Sequence, residues 1–320
     1  MCAPPAAGAP WPRRVQSHIG QPLRSWLHVA ACKPRGPGQL LEPIDDANLG
    51  HALDLLARGF KRGSHQFWEK AVERIARYNR YGSLPGIGHL LAVKGKRAGV
   101  LLTINGEARL ADDRRCRVTN LSSWYVDPEH RRLAPLMLRE AIRDPDTVFT
   151  DLTPSAEVVR MLPLLGFKPL NTGIAAIALP VAAVRRTAGA RVGDLESVPA
   201  GILEPETRTL MERNAEFGAI AAVLTGGDRH KPLLFASRTL RRLPAAQLIY
   251  CEDNAALMNE IGAIARFLLR RRKLVLIVDI PVGQRAPGTH FPGRGLKFAK
   301  GGCFVNRTDY GGSELLLVGQ

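Results

Sequence analysis

Apolar residues recur at helix and strand spacing from residue 40 onward. Leu49, Leu53 and Leu56 fall on one side of a predicted helix, and strand-like runs alternate with further helices. We predict strands at 40–44, 89–93, 99–104, 117–126, 147–152 and 173–179, and helices at 48–60, 65–80, 135–143 and 155–165. This order predicts an α/β fold, in which a mixed sheet has helices on both faces.

A similar pattern follows residue 195. Strands are predicted at 232–237, 246–251 and 274–280, with a long helix at 254–271. The order of elements indicates a second copy of the same unit, although the two halves share little sequence. The predicted domains are therefore 40–180 and 195–320, joined by a linker at 181–194. Residues 281–302 are rich in Gly and Pro and are predicted to be irregular, either a lid or a disordered excursion.

The first 39 residues contain no Asp or Glu and many Pro and Gly residues, which predicts a disordered basic tail. Its prolines argue against the amphipathic helix of a transit peptide, and no continuous apolar stretch follows its first arginines. No apolar run in the chain reaches the roughly 18 residues that cross a bilayer. We therefore expect a cytoplasmic protein with no membrane span.

The charge balance is strongly basic, with 45 Lys and Arg against 29 Asp and Glu and a formal net charge of +16. Such a charge attracts anionic partners, including nucleic acid, anionic lipid, acidic polysaccharide and a phosphate-rich cofactor. No helix-turn-helix or zinc-finger spacing is present, so nucleic acid is not the expected partner. The five cysteines are widely separated with no C-x-x-C pair, which indicates a reducing compartment and no metal site.

The segment that carries chemistry joins the strand at 117–126 to the helix at 135–143. The strand stops at Asp127 and Pro128, and the helix begins at Pro135, where a missing N–H costs nothing. Backbone amides and the positive end of the helix dipole would then form an anion site. Arg131 and Arg132 are misplaced at that end of a helix unless an anion joins them. A diphosphate matches such a site best.

These residues resemble the GNAT superfamily of acyl-CoA-dependent acyltransferases, whose pyrophosphate loop reads V-x-P-x-x-R-x-x-G-x-G/A. Val126, Pro128 and Arg131 match in register. Ala134 and Leu136 stand where the two small residues are expected. These departures matter because glycines let phosphate oxygens approach the backbone closely.

A second resemblance lies in the helix at 155–165, which ends in Gly166 and Phe167 like the closing helix of the family. Many family members have a tyrosine four residues before that glycine, and it protonates the departing thiolate. Leu162 occupies this position here.

The resemblance implies an acyl-CoA-dependent acyltransferase that moves an acyl group, acetyl in the first instance, from coenzyme A to an amine. It implies the acyl-CoA N-acyltransferase fold, with a mixed, mostly antiparallel central sheet, in tandem copies of which the second is degenerate. The acceptor would be a small-molecule or polymer-linked amine. The implied cofactor-binding residues are Tyr125, Val126, Arg131, Arg132, Leu133, Ala134, Leu136 and Met137.

Such a reaction needs a base, and two residues are candidates. Asp151 ends the next parallel strand and His130 lies on the loop. Each also has a purely structural explanation. Asp151 would cap the following helix, and His130 would be a solvated loop side chain. The acceptor cleft is predicted to be lined by strand residues Asn120, Ser122, Ser123 and Trp124.

In the second half, Glu252 and Asp253 occupy the corresponding strand-to-helix turn. Two carboxylates there would repel a diphosphate. The second copy is therefore predicted to be non-catalytic, completing the acceptor cleft or bracing the first domain. Two alternatives stay open: a catalytically inactive GNAT-fold binding protein and a basic nucleic-acid-binding protein.

Overall fold

The computed structural model of the protein describes residues 40–60, 63–81, 86–109, 115–187, 189–199, 201–226, 229–283, 286–301 and 308–318. The tail predicted at 1–39 lies outside them. The described residues form two mixed, mostly antiparallel sheets with helices, a duplicated α/β layout. The predicted fold class is therefore confirmed.

The elements of the first half follow the predicted order closely. They are β1 (Leu41–Pro43), α1 (Leu49–Gly59), α2 (His65–Asn79), β2 (Gly88–Val93), β3 (Lys96–Arg109), β4 (Arg115–Val126), α3 (Ala134–Ala141), β5 (Thr147–Asp151), α4 (Ala156–Met161) and β6 (Lys168–Pro169). α2 begins at Ser64, whose hydroxyl accepts from the Phe67 amide, and buries Ala71 and Ile75. α4 passes into a short 3-10 turn that ends at Gly166, with φ +86°.

The rest of the chain, from residue 171 in the predicted first domain onward, contains more elements than predicted. They are β7 (Asn171–Ala178), α5 (Leu179–Ala183), β8 (Arg191–Asp194), α6 (Pro205–Glu216), β9 (Ile220–Gly226), β10 (Arg229–Leu240), β11 (Leu243–Cys251), α7 (Asn254–Asn259), α8 (Ile261–Arg270), β12 (Val275–Pro281), β13 (Thr289–Pro292), β14 (Phe298–Lys300), β15 (Thr308–Asp309) and α9 (Glu314–Leu317). The segment predicted to be a linker thus ends in β8, whose Val192 is buried against the second core. The segment predicted to be irregular contains β13 and β14.

The two sheets exchange a strand. The first has the order β1-β2-β3-β4-β5-β14-β6 and the second the order β13-β7-β12-β11-β10-β9-β8. β7, which was predicted to complete the first sheet, pairs with β12 and β13 of the second, with Ile177 opposite Leu276. In return β14 enters the first sheet, with Ala299 opposite Thr150. Each half therefore depends on the other for a strand next to its sheet edge.

One apolar core joins the halves, since buried residues of α1, α2, α6 and α9 belong to the same cluster. The rings of Tyr78 and Phe217 meet edge to face with centroids 5.3 Å apart. The Arg213 guanidinium lies 3.6 Å from the Tyr78 centroid, and that of Arg77 lies 4.5 Å from the Phe217 centroid. Within the described residues, no helix has the length and apolar character that a membrane crossing requires.

Candidate active site

The centre of the first sheet opens into a cleft. β4 and β5 run parallel from the Arg117 and Thr147 pair to the Leu121 and Asp151 pair. Beyond that pair β4 continues to Val126, whereas β5 ends. The space between them is a cavity of about 350 Å³, which we call the first cleft. It is lined on one side by residues 121–124 of β4 and on others by Phe60, Trp68, Leu138, Asp151, Thr153, Val158, Arg238 and Glu314.

A β-bulge shapes the β4 wall of the first cleft. Leu101 pairs with Trp124 and Leu102 with Ser122, so Ser123 is the extra residue, and its φ is +47°. Strict alternation would direct neighbouring serines to opposite faces. The bulge instead leaves both in the cleft wall, with their hydroxyl oxygens 3.2 Å apart. A bulged residue is unpaired in the ladder, and a positive φ on a non-glycine residue is a strain of about 1–3 kcal/mol that often marks a functional site.

Two carboxylates lie in the cleft, Asp151 from β5 and Glu314 from α9. Glu314 is 7% exposed and accepts hydrogen bonds from the Thr153 hydroxyl at 2.8 Å and from the Asn120 side-chain amide. Burial raises the pKa of Asp151 to about 8, and the neighbouring charge of Glu314 adds to this effect. Burial also raises the pKa of Glu314. The pair therefore holds a proton close to neutral pH.

Arginines from both halves hold α9, and with it Glu314, in place. The last carbonyl groups of a helix have no partner within it. Arg74 of α2 donates to the carbonyls of residues 316 and 317 at 3.1 and 3.2 Å, and Arg238 of β10 donates to that of residue 315 at 2.6 Å. Just before α9, Gly312 has φ +64°, and a Cβ there would lie 2.2 Å from the Tyr78 ring. The turn into the cleft thus requires glycine.

The structure brings several predicted site residues together. Ser122, Ser123, Trp124 and Asp151 line the first cleft. Asn120 is buried behind them, where its carbonyl oxygen accepts from Thr150 at 3.1 Å while its amide holds Glu314. His130 is not among the described residues that line the cleft, and its ring lies 3.7 Å from the carboxylate of its neighbour Glu129.

The segment predicted to be an open phosphate loop is coiled. Residues Pro128–Leu133 form a 3-10 helix that runs directly into α3. The His130 amide donates to the Asp127 carbonyl at 2.9 Å, and the Ala134 amide donates to the Arg131 carbonyl. A 3-10 helix bonds each amide to the carbonyl three residues earlier. The exposed cluster of amides expected here is therefore not formed in this conformation.

The side chains predicted to bind the cofactor do not share one surface. Arg131 and Arg132 are exposed and form no ion pair within the described residues. Tyr125 packs against α1, where a Cβ on Gly59 would lie 2.4 Å from its ring, and its hydroxyl donates to Asp127 at 3.0 Å. Val126 and Met137 are in the core, Leu133 and Ala134 are half-buried, and Leu136 is exposed.

The second sheet has a corresponding opening, which we call the second gap. β11 and β12 run parallel from the Ala245 and Val275 pair to the Gln247 and Ile277 pair, and then part. Beyond this point β15 pairs with β11 and occupies the opening.

A buried polar cluster completes the filling of the second gap. The Tyr310 hydroxyl donates to Asp279 of β12 at 2.6 Å, and the Lys297 ammonium donates to the other oxygen of that carboxylate at 2.6 Å. Lys297 is only 1% exposed. The second gap is therefore closed by protein groups. At the following turn, Glu252 accepts from Tyr250 at 3.2 Å and Asp253 lies 3.5 Å from Lys231.

Several residues that line the first cleft were not predicted from the sequence. Phe60 and Trp68 form an aromatic wall, with ring centroids 5.2 Å apart. Glu314 and Arg238 come from the second half of the chain, and the available signal for Glu314 was a single carboxylate directly before the apolar residues 315–318. Among the residues that the structure describes, no group of three or more His, Cys, Asp or Glu side chains could hold a metal ion.

Solved structures share this architecture. A GCN5-related N-acetyltransferase from Anabaena variabilis ATCC 29413 matches 81% of this chain and 71% of its own at 11% identity, with a TM-score of 0.51. A protein from Enterococcus faecalis V583, provisionally named an N-acyltransferase, has the same coverage at 9% identity and a TM-score of 0.51. A provisionally named acetyltransferase from Pyrococcus horikoshii matches 90% of this chain and 99% of its own at 11% identity, with a TM-score of 0.50.

No protein-family model matches the sequence, and no curated protein matches it either. At these low identities, the structural similarity concerns the fold. The chain shares the fold of these structures, with two mixed sheets in a duplicated arrangement, and this agrees with the fold that the sequence motifs predicted.

Proposed function

We propose that the protein transfers an acyl group from an acyl-coenzyme A to an amine in the first cleft. The observation that carries the proposal is the parting of β4 and β5 around two buried carboxylates. The fold supports it, because the structures with this architecture include N-acetyltransferases. Residues 40–180 would bind the cofactor, and residues 195–320 would complete the cleft through Arg238 and Glu314.

Asp151 would act as the base. In its ionised form it takes a proton from the amine as the nitrogen attacks the thioester carbonyl carbon. The C–N bond forms and the C–S bond breaks, and the sulfur leaves with the bonding electrons. The proton on Asp151 then passes to the thiolate, so that amine and acyl-CoA give amide and free thiol. A base whose pKa is near 8 suits both transfers at neutral pH.

Two further features would assist this reaction. The bulged backbone at Ser123 lies in the cleft wall, where its amide would stabilise the charge that develops on the carbonyl oxygen. Leu162 is buried and its side chain carries no hydroxyl, so it cannot supply the acid that many family members have at this position. The carboxylate pair would therefore supply the proton that the sulfur needs.

Arg131 and Arg132 would hold the phosphates of the cofactor. Their exposed guanidinium groups lie at the N-terminal end of α3, where an anion offsets both their charges and the helix dipole. The neighbouring positions Tyr125, Val126, Leu133, Ala134, Leu136 and Met137 would frame this site. Unwinding of the 3-10 helix on binding would release amides for the phosphate oxygens.

The test is binding of acetyl-CoA followed by turnover. We expect acetyl-CoA to raise the melting temperature and to bind in calorimetry, and Arg131→Glu to weaken that binding at least ten-fold, on the order of a lost charge-assisted contact. Arg186→Glu, at an exposed arginine far from α3 in the sequence, is the matched control. Release of free thiol in the presence of amines reports transfer. No shift with any acyl-CoA would refute the proposal.

A second candidate is a catalytically inactive GNAT-fold binding protein. It is favoured by one observation, the internal bonding of the amide at Ala134, where the family has a glycine that contacts phosphate. Binding of acetyl-CoA with no acylation of any amine would support this candidate over the enzyme.

A further inference from the structure

A cavity of about 490 Å³ adjoins the first cleft, and we call it the basic cavity. Thr153, Pro154 and Arg238 line both spaces. Its other walls come from β10, β11, β12 and residues 293–297, so it lies between the two halves. Its volume is in the range of small-molecule sites. A molecule seated in it could extend past Arg238 toward Asp151.

The basic cavity is distinct from the place proposed for the cofactor phosphates. Val158 of α4 and the N-cap residue Ser155 line the first cleft, and Ala156 and Val159 of α4 line the basic cavity. This helix therefore forms part of the boundary between the two spaces, which share Thr153, Pro154 and Arg238 in their linings. Arg131 and Arg132 do not line the basic cavity.

The charge of the basic cavity is one-sided. Arg238, Arg294 and Lys297 line it, and the described lining residues include no Asp or Glu. The ammonium of Lys297 is neutralised by its 2.6 Å contact with Asp279. Arg294 is exposed and forms no ion pair within the described residues. Arg238 is fixed in orientation by its bonds to the carbonyls of Leu315 and of the Gln247 side chain.

We propose that the basic cavity binds the anionic end of the acceptor, a carboxylate or phosphate carried by the same molecule as the reacting amine. The inference rests on the proposed acyl transfer. An anion near Arg294 would be held by charge-assisted hydrogen bonds, which guanidinium groups form well with both anions. The amine at the other end of the acceptor would extend past Thr153, which lines both spaces, and reach Asp151 in the first cleft. The protein would thus select amines that bear an acidic group.

The first experiment compares matched acceptors with acetyl-CoA as donor. The probes are ω-amino acids of two to six carbons with their amides, and O-phosphoethanolamine with ethanolamine. We expect kcat/KM to be at least ten-fold higher for the acids of the best length than for their amides. Arg294→Gln should bring this ratio close to one by raising KM for the acids, with little change for the amides. The two probe series show whether carboxylate or phosphate is preferred.

Arg294 is the better position to change, because Arg238 also holds α9 and its loss would disturb Glu314. Arg186→Gln removes the same charge from an exposed arginine outside both cavities, and it should leave the ratio unchanged. Amides used as well as acids, or a ratio that survives Arg294→Gln, would overturn the proposal even if acyl transfer itself is observed.

A second experiment needs no turnover. The N-acetyl derivatives of the same ω-amino acids and of their amides are titrated calorimetrically into the protein, with and without coenzyme A. We expect the acids to bind at least ten-fold more tightly, and Arg294→Gln to abolish the difference. Tighter binding of the acids without any acyl transfer would support the basic cavity as an anion site and reject the proposed reaction. Equal binding of acids and amides would reject the basic cavity as an anion site.

Discussion

The first cleft and the second gap begin alike and end differently. In each sheet two central parallel strands pair over a few residues and then part. In the first sheet the space stays open and exposes Asp151 and Glu314 to one cavity. In the second sheet β15, Tyr310 and the Lys297–Asp279 ion pair fill the space. An open cavity and a cluster of protein groups that closes the gap therefore occupy corresponding positions in the two sheets.

The same short stretch of chain produces both outcomes. Residues 308–310 enter the second gap, the chain turns at Gly312, and Glu314 enters the first cleft four residues later. Closing one opening thus positions a carboxylate in the other. Under the proposed acyl transfer, the half without an open gap would thus contribute a carboxylate to the reaction in the other half.

The largest expected effect concerns the open cleft. Asp151→Asn removes the proposed base with little change in size, and we expect kcat for acetyl transfer to fall about 10²- to 10⁴-fold. Thiol release measures the rate, and calorimetry with acetyl-CoA is the control, since cofactor affinity should stay within about three-fold. A rate that stays near that of the wild type would exclude Asp151 as the base.

The next effect concerns the closed gap. Lys297→Met leaves the buried Asp279 carboxylate without its cation, and such a loss lowers the free energy of unfolding by about 3–5 kcal/mol. Urea denaturation measures it. The double variant Lys297→Met with Asp279→Leu should recover most of the loss, because both charges are then gone. Full stability of the single variant would show that the second gap is not held by this pair.

A smaller effect links the carboxylates of the first cleft. Glu314→Gln removes the negative charge that helps raise the pKa of Asp151 toward 8. Because the base must be ionised, activity rises as the pH passes through the pKa of Asp151. We expect the midpoint of this rise, which we call the pH limb, to move about one unit toward lower pH in the variant. Rate profiles between pH 6 and 10 measure the shift.

The control for this shift is Thr153→Ala, which removes a hydrogen bond to Glu314 but no charge. It should move the limb much less. An unchanged profile for Glu314→Gln would mean that the two carboxylates do not titrate together.

Stability should follow the same titration. Because the pKa of Asp151 is higher in the folded than in the unfolded chain, the folded state retains a proton that the unfolded state has lost. This contribution is complete below about pH 4 and fades as pH rises through about 8, with a limiting slope of about 1.4 kcal/mol per pH unit. The melting temperature of the wild type should therefore fall as the pH rises through this range, and the fall should be smaller for Asp151→Asn.

Local patterns predicted much of the fold and part of the site. Helical spacing identified α1 and α2, and the end of a strand placed Asp151 in the cleft. The exchange of β7 and β14 could not be predicted, since an apolar strand carries the same pattern whichever sheet it joins. Glu314 was equally inaccessible, because 194 residues separate it from Asn120, its hydrogen-bond partner.

The helical conformation of the segment predicted to bind phosphate could have been predicted from its lack of glycine, but the match to the family motif drew attention away from this feature. Residues 128–141 contain no glycine, so none of them readily adopts a positive φ. The chain instead follows helical dihedral angles from Pro128 into α3, and Ala134 has φ −56° and ψ −47°. A match at Val126, Pro128 and Arg131 indicated the fold, whereas the missing glycines determined the local conformation.

The smallest effect tests whether the closed second gap and the open cleft are independent. Tyr310→Phe removes the hydroxyl that donates to Asp279 and should lower the free energy of unfolding by about 1 kcal/mol. Burial and the adjoining Asp279 raise the Tyr310 pKa well above its ordinary value, so this loss should be the same at pH 6 and pH 9. Tyr81→Phe is the control, because that tyrosine bonds Glu216 on the exposed surface and should matter less. Tyr310 does not line the first cleft, so the variant should not change the pH at which activity rises with the ionisation of Asp151. A change in that pH would show that the two openings are electrostatically coupled.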